Sequence, residues 1–352
     1  MEEIRLTQFS RGGGCGCKVA PAILEEILKS DDSPKHSPPV RVWEKLLVGN
    51  ETKDDAAVYD IGNGNALIST TDFFTPIVNN PFDYGRIAAT NALSDVYAMG
   101  GKPFLAIAIL GFPTEKISSS IAQQIIKGAK AICAQAEVVI AGGHTINAPE
   151  PFFGLAVNGM VEIKNLKKNS TAREGDLLFL TKPLGTGILS TALKRNLIEE
   201  NEMGEAVKYM TTLNSFGTEL GKHEFVTALT DVTGFGLLGH LIEMCEGANT
   251  SSEIDYSKIP MMNRVKELAA KFIYTDNTMR NWKAYEKKTE GISGESLLTL
   301  CDPQTSGGLL IAINPIYENE FVSLANAANI KTDKIGKMKI KSAVRVKIYP
   351  SL

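Results

Sequence analysis

Along its length the chain alternates short apolar runs of strand character with longer stretches of helical periodicity, and it does so in both halves. Few arrangements satisfy that pattern. Each half must stack helices on a sheet, which predicts an α+β or α/β chain of two domains. In the first half, strand signals at 56–59 and 66–70 flank Gly62-Asn63-Gly64, strong hairpin chemistry. Asn80 and Pro81 open a helix running to about residue 99, closed by Gly100, Gly101 and Pro103. A strand at 105–110, a helix at 117–136 and strands at 138–141 and 153–161 follow, the third of these elements ending in Gly142-Gly143-His144-Thr145. The polar run 164–170 interrupts the apolar rhythm and places a boundary near 162–175. The second half reads as a strand at 177–181, helices near 186–196 and 204–222, and a strand at 226–229. A glycine-rich helix beginning at 233–240, a helix near 262–271, a strand at 308–313 and a last helix with strands complete it. A length of 352 residues fits two domains.

Residues 12–18 read Gly-Gly-Gly-Cys-Gly-Cys-Lys and hold two of the five cysteines. Buried cysteines normally occupy apolar helices or strands, which this stretch is not. Lys18 beside the thiols favours the thiolate, and the glycines let the backbone bend around another group. Zinc is disfavoured, because no second cysteine or histidine pair stands at ligand spacing. Cys133 and Cys245 read as core fillers, Cys301 stands alone, and the odd count argues for a reducing compartment. A short helix at 19–28, with Pro21 in its first turn, and a proline-rich loop at 30–41 tether the arm to the body. A net charge of −3 without a basic block excludes nucleic acid as the main partner. No apolar signal core or membrane-length run is present, so the expected location is the cytoplasm.

A set of aspartates stands beside small residues at strand or helix ends: Asp54, Asp55, Asp72, Asp95 and Asp231. Asn91 and Asp95, four apart, share a helical face. Taken singly, such residues are turn or cap chemistry, and Asp54 and Asp83 fit that description. Four carboxylates brought together would repel and shift one another unless cations intervene, and magnesium with substrate phosphates is the natural species. There is no Walker A segment, since 217–223 has the wrong spacing, and no dinucleotide glycine fingerprint. Residues 142–145 offer N–H groups and a hydroxyl to an anion, or form a tight turn. Gly234-Phe235-Gly236 either holds a phosphate at a helix start or allows close helix packing, and His240 reads as a core or capping histidine.

Eight segments, in order, carry a resemblance to the selenophosphate synthetase (selenide, water dikinase) family, of the aminoimidazole ribonucleotide synthetase-like superfamily. They are 14–18 (Gly-Cys-Gly-Cys-Lys), 49–59, 69–74 (Ser-Thr-Thr-Asp-Phe-Phe), 89–95, 99–103, 141–145, 230–236 and 301–308 (Cys-Asp-Pro-Gln-Thr-Ser-Gly-Gly). The resemblance spans nearly the whole chain. It implies formation of selenophosphate, AMP and orthophosphate from selenide, ATP and water. It further implies that Cys15 handles the selenium, that Lys18 contacts nucleotide phosphates, and that Asp55, Asp72, Asp95 and Asp231 bind magnesium. Thr52, Lys53 and Asp54, with Asp72 and Asp95, match nucleotide-binding positions, and Gly143, His144 and Thr145 match a loop supplied across a dimer interface. The implied cofactors are Mg²⁺ and ATP as substrate, with a place for a monovalent cation. The implied partners are selenide, or a protein selenium donor, and a second copy of the chain.

The implied architecture is a flexible catalytic arm and linker (1–45), an N-terminal ATP- and Mg-binding domain (46–165) pairing into a dimeric β-barrel with flanking helices, and an α/β C-terminal domain (166–352). One departure is the proline-rich stretch at 31–41, longer than the family pattern, which bears on the arm's reach. The rivals are an amidine-forming purine enzyme or thiamine phosphate kinase of the same superfamily, which need no such arm. A non-enzymatic selenium or metal carrier would use Cys15 and Cys17 and leave the aspartates unexplained.

Overall fold

The computed structural model describes residues 5–10, 12–19, 21–28 and 44–350. The proline-rich tether therefore lies outside the described residues, while the helix expected before it is present as α1 (Pro21–Leu28).

Two mixed sheets organise the chain. The first has the order β1-β2-β3-β6-β4-β5, formed by Leu46–Val48, Ala57–Gly62, Asn65–Phe74, Phe152–Glu162, Lys102–Phe112 and Val139–Asn147. The expected hairpin joins β2 to β3, and Gly62, Asn63 and Gly64 all take positive φ (90°, 54° and 75°) to make the turn. The strand β4 runs parallel to β5 and is joined to it by a helical crossover, as parallel pairing requires. Among the described residues β1 and β5 are the two free edges, so the sheet they bound is open and not a closed barrel.

One face of this sheet is covered by α2 (Pro81–Ala98) and α3 (Ser119–Gln135). Asn80 starts α2 by accepting the N–H groups of Phe82 and Asp83 at 2.9 and 3.1 Å, with Pro81 in the first turn. Ile68, Phe74, Tyr84, Ile87, Leu93 and Phe153 fill the space between helices and sheet. The two helices touch backbone to backbone. A Cβ on Gly85 would stand 1.9 Å from Ile125 O, and one on Gly128 2.0 Å from Phe82 O. The other face leaves Phe73, Phe104, Ile107 and Met160 exposed.

The second sheet has the order β10-β13-β9-β12-β7-β11-β8, from Thr289–Glu290, Val346–Tyr349, Ser251–Asp255, Asp333–Lys339, Leu177–Leu180, Leu309–Ile313 and Val226–Asp231. Every residue of β11 is buried. Leu310 and Ala312 face one core, whereas Leu309, Ile311 and Ile313 face another, which explains why this strand is continuously apolar. Its helices are α4 (Thr186–Lys194), α5 (Gly204–Met210), α6 (Phe216–Gly221), α7 (Gly236–Gly247), α8 (Val265–Ala270), α9 (Asp276–Tyr285), α10 (Gly294–Leu300) and α11 (Glu318–Ala327).

The structure departs from expectation in three places. The single helix expected over 204–222 is split into α5 and α6. Thr211 and Thr212 turn their hydroxyls back to the carbonyls of Val207 and Lys208, and Asn214 leaves the helix to bond Ser94 Oγ and Gly307 O. The strand expected to stop at residue 141 continues to Asn147. The elements β1, β9, α9 and α10 had no periodic signal strong enough to mark them. Among the described residues no helix is long and apolar enough to cross a membrane.

The α2–α3 contact yields a stability prediction. Gly128→Ala should cost about 1–3 kcal/mol through overpacking. The measurement is the urea-unfolding midpoint against an exposed control on the same helix, Lys127→Ala; equal midpoints would refute the close approach.

Candidate active site

Four carboxylates from four chain segments meet where the two sheets adjoin. Asp72 lies on the helix-facing side of β3, two residues after Thr70. Asn91 and Asp95 lie one turn apart on the sheet-facing side of α2. The spacings match: Thr70 Oγ1 donates to Asp95 Oδ2 at 2.5 Å, and Asn91 Nδ2 donates to Asp72 Oδ2. Asp231 ends β8, and its neighbour Thr230 donates Oγ1–H to Asp55 Oδ1 at 2.8 Å.

Burial pushes the Asp55, Asp95 and Asp231 carboxyls above the usual carboxylate range. Asp231 is the strongest charged neighbour of both Asp55 and Asp95, and Asp72 adds to Asp95 and Asp231. A hydrogen bond from Ser94 partly offsets the effect at Asp231.

The cysteine arm is folded onto this cluster. Gly14 N–H bonds Thr75 O at 3.0 Å, at the end of β3, and residues Cys15–Cys17 form one 3₁₀ turn. Gly14 has φ +56°, and a Cβ there would lie 2.3 Å from Thr305 Oγ1 and 2.5 Å from Ile77 Cδ1. Cys15 is wholly buried. Its N–H donates to Thr305 Oγ1 at 2.9 Å, and its thiol donates to Asn91 Oδ1 at 3.4 Å. Asn91 Oδ1 also accepts Ser306 N–H at 2.7 Å, so one amide ties together the arm, Asp72 and the 301–308 segment. Lys18 Nζ stands 3.6 Å from Asp72 Oδ1, and that charge raises its pKa.

This runs against the expectation that Lys18 favours the thiolate. Burial and the Asp72 charge push the Cys15 thiol well up, and together they outweigh Lys18, whose ammonium is already partnered by Asp72. Cys17 lies on the exposed side of the same turn.

The remaining expected residues divide. Thr52, Lys53 and Asp54 form a tight turn beside Asp55. Thr52 Oγ1 bonds Asp54, whose other oxygen accepts Asn169 N–H at 2.7 Å, while Asn169 Nδ2 bonds Lys53 O at 2.8 Å. Gly143, His144 and Thr145 are not a loop at all. They lie in the exposed edge strand β5, where they pair with Ala108, Ile109 and Leu110. Asp72, Leu155, Ala108 and Gly143 occupy one row across four strands. That separation is about 14 Å, so within one chain this edge does not reach the cluster.

Gly234 and Gly236 serve close packing. A Cβ on Gly234 would meet Lys18 Cδ at 2.9 Å, and one on Gly236 would meet Leu300 O at 2.6 Å. His240 is a core histidine between Thr233 and Glu243. Asn91, Thr70, Thr230, Ser94 and Thr305 received no role from sequence, and the available signal was small polar residues inside otherwise apolar segments.

Among the described residues no three Asp, Glu, His or Cys side chains are gathered closely enough to cage a metal ion unaided. The donor set nevertheless fits a hard divalent cation arriving with a polyphosphate. Among the described residues Asp55 Oδ2 and Asp231 Oδ2 have no hydrogen-bond partner, and burial raises both carboxyls, with Asp231 adding at Asp55 and Asp72 at Asp231. Magnesium characteristically takes a few carboxylates together with substrate phosphates.

Two family models cover this architecture: AIR synthase related protein, N-terminal domain, at residues 53–161, and the corresponding C-terminal domain at 173–348. Solved structures agree on the fold. A thiamine-monophosphate kinase from Stenotrophomonas maltophilia K279a superposes with TM-score 0.64 at 18% identity, covering 88% of this chain and 92% of that one. The hydrogenase maturation protein HypE in complex with ATP gives 0.63 at 17%, covering 82% and 81%. The fold is thus that of the AIR synthase related proteins. Within them, the selenide, water dikinase of Escherichia coli (strain K12) is 52% identical over 335 residues, 95% of each chain. That of Haemophilus influenzae (strain 86-028NP) is 50% identical over 341 residues, 97% of this chain and 96% of its own. The chain belongs to the selenide, water dikinase family.

The segment beneath the arm carries a pH signature. Asp302 Oδ2 accepts the N–H groups of Gly187 and Ile188 at the start of α4, yet burial raises its pKa to about 7. An unfolded-chain aspartate loses its proton near pH 4. The native state therefore binds the extra proton between about pH 4 and 7, so this group's contribution to stability is fullest below about pH 4 and is lost as pH rises towards 7. Asp302→Asn removes that titration. Urea-unfolding free energies across the window should give a wild-type-minus-variant difference that falls with rising pH, and a flat difference would contradict the assignment.

Proposed function

We propose that this chain makes selenophosphate from selenide, ATP and water through the cluster beneath its cysteine arm, releasing AMP and orthophosphate. One observation carries the reading: Lys18 directly, and Cys15 through Asn91, are folded onto Asp72 beside three further carboxylates. A thiamine phosphate kinase or an amidine-forming purine enzyme has no use for that arm, and a simple carrier has no use for the carboxylates.

Phosphoryl transfer needs alignment and charge neutralisation more than covalent chemistry from the protein. Asp55, Asp72, Asp95 and Asp231 would hold Mg²⁺, which supplies positive charge to the triphosphate. Thr52, Lys53 and Asp54 lie next to Asp55 and serve the nucleotide segment. Lys18 exchanges Asp72 for a phosphate oxygen when the nucleotide is present, and Asp72 is then free to act as a ligand. A cation on Asp72 would offset the charge that most opposes ionisation of Cys15, and Cys15 positions selenide for attack on the γ-phosphorus. The Se–P bond forms as the bond from the γ-phosphorus to the β,γ-bridging oxygen breaks, leaving ADP. Water then attacks the β-phosphorus, the α,β-bridging P–O bond breaks, and AMP and orthophosphate leave with release of a proton. The closed arm keeps bulk water from the first transfer. Because Cys15 is wholly buried, the arm opens to receive selenide, free or delivered by a protein donor.

The open sheet favours a homodimer. Phe73, Phe104, Ile107 and Met160 expose an apolar face, and β5 offers an unpaired edge. Pairing two such faces closes a barrel and brings Gly143, His144 and Thr145 of a second copy towards the cluster. The division of labour is an arm and linker (1–45), an ATP-binding and dimerising domain (46–165) and a C-terminal α/β domain (166–352), working in the cytoplasm.

Three outcomes test the proposal. Cys15→Ala should lower selenide-dependent AMP formation by at least 100-fold, on the order of losing a nucleophile-bearing group, whereas Cys17→Ala should retain most of it; full activity in Cys15→Ala would refute the assignment. Asp72→Asn should weaken ATP binding at limiting Mg²⁺ in calorimetry, and unchanged binding would remove Asp72 from the site. Phe104→Asp with Ile107→Asp should convert the protein to a monomer in sedimentation velocity, and an intact dimer would place the interface elsewhere.

A further inference from the structure

The position of Cys15 depends on the segment that receives it. Residues 301–308 link α10 to β11 and are fixed on every side. Gln304 Oε1 accepts the N–H groups of Gly185 and Thr186 at 2.9 and 3.2 Å, and Gln304 N–H bonds Thr233 O at 2.9 Å. Asp302 Oδ2 accepts Gln304 Nε2 at 2.8 Å as well as the first N–H groups of α4. Thr305 N–H donates to Thr186 Oγ1 at 2.9 Å, and buried Lys182 Nζ donates to Ser306 O at 3.0 Å. The segment is a rigid anvil, and a rigid acceptor is what a glycine-rich arm needs in order to adopt one position.

Among the described residues, the direct hydrogen bond between arm and segment comes from one side chain. Thr305 is 1% exposed, and its hydroxyl oxygen accepts Cys15 N–H at 2.9 Å. Gly14, immediately before Cys15, leaves space for it, since any Cβ there would fall 2.3 Å from Thr305 Oγ1. Lys18 O, three residues after Cys15, is bonded by Asn277 Nδ2 at the longer distance of 3.3 Å.

We propose that Thr305 is the clasp of the cysteine arm, a positioning residue whose hydroxyl grips the backbone N–H of Cys15 and so holds the arm closed. As acceptor it fixes the turn that aims the cysteine inwards. A valine in its place keeps the shape but strands the Cys15 N–H without a partner, so the arm opens more often. The clasp itself is independent of the chemistry assigned to Cys15, and its effect on turnover rests on the proposed function.

The test compares Thr305→Val, which removes the hydroxyl with little change of volume, and Thr305→Ser, which retains it. Nucleotide-free protein is pulsed with iodoacetamide, and alkylation of Cys15 is read by peptide mass spectrometry against exposed Cys17 in the same molecule. Thr305→Val should raise the Cys15:Cys17 labelling ratio roughly tenfold, the scale of one lost buried hydrogen bond, and Thr305→Ser should stay within about twofold of wild type on the same scale. A wild-type ratio in Thr305→Val, or equal exposure in both variants, would overturn the proposal. Should Thr305→Val fail to fold, Thr305→Ala carries the same expectation, and hydrogen exchange of wild-type residues 12–18 must show Cys15 N–H protected more than Cys17 N–H. In turnover, Thr305→Val should lower kcat and leave KM for ATP within about twofold, with Thr305→Ser restoring kcat. A protein that made no selenophosphate would still give the labelling ratios, so the two claims fail separately.

Discussion

Burial of neighbouring aspartates at the junction of two sheets is the constraint on which the rest depends. Asp55, Asp95 and Asp231 are raised by burial and by one another, and two of their oxygens are buried without partners. Such a cluster is costly to ionise without cations beside it. The observed positions of the arm residues follow from that. Lys18 rests on Asp72 because this carboxylate attracts it, and Cys15 keeps its proton because burial and Asp72 outweigh a lysine already partnered. Under the proposed function, the same charges would keep the Cys15 thiol protonated until a metal–phosphate group engages Asp72.

Packing keeps the repelling groups in place. The two-residue step between Thr70 and Asp72 on β3 meets the four-residue step between Asn91 and Asp95 on α2, giving two side-chain bonds across one helix–sheet contact. Asn91 then reaches Cys15 and Ser306 with its oxygen. Glycines supply the close approaches, Gly85 and Gly128 between α2 and α3, and Gly14 and Gly234 where the arm is seated.

Much of this was legible in the chain because its causes are local. The Gly62-Asn63-Gly64 turn, the Asn80 cap and the apolar run of β11 act over a few residues, and each formed as expected. The aspartates stood out for their place beside small residues, and they do converge. What escaped was non-local. The Gly142–Thr145 segment reads as a turn because its two glycines mask the pairing with β4 that extends β5. The state of Cys15 could not be inferred from its neighbour Lys18, since Asp72, distant in sequence, captures that lysine. Thr305 is silent in sequence for the same reason, its partner lying 290 residues away.

The central claim is that the arm and the carboxylates together join selenium to a phosphoryl group. Phosphorus NMR of the protein incubated with ATP, Mg²⁺ and selenide under exclusion of oxygen tests it most directly. The account predicts selenophosphate, AMP and orthophosphate accumulating in equal amounts, with no free ADP pool. ADP and orthophosphate alone, at a rate indifferent to selenide, would contradict it.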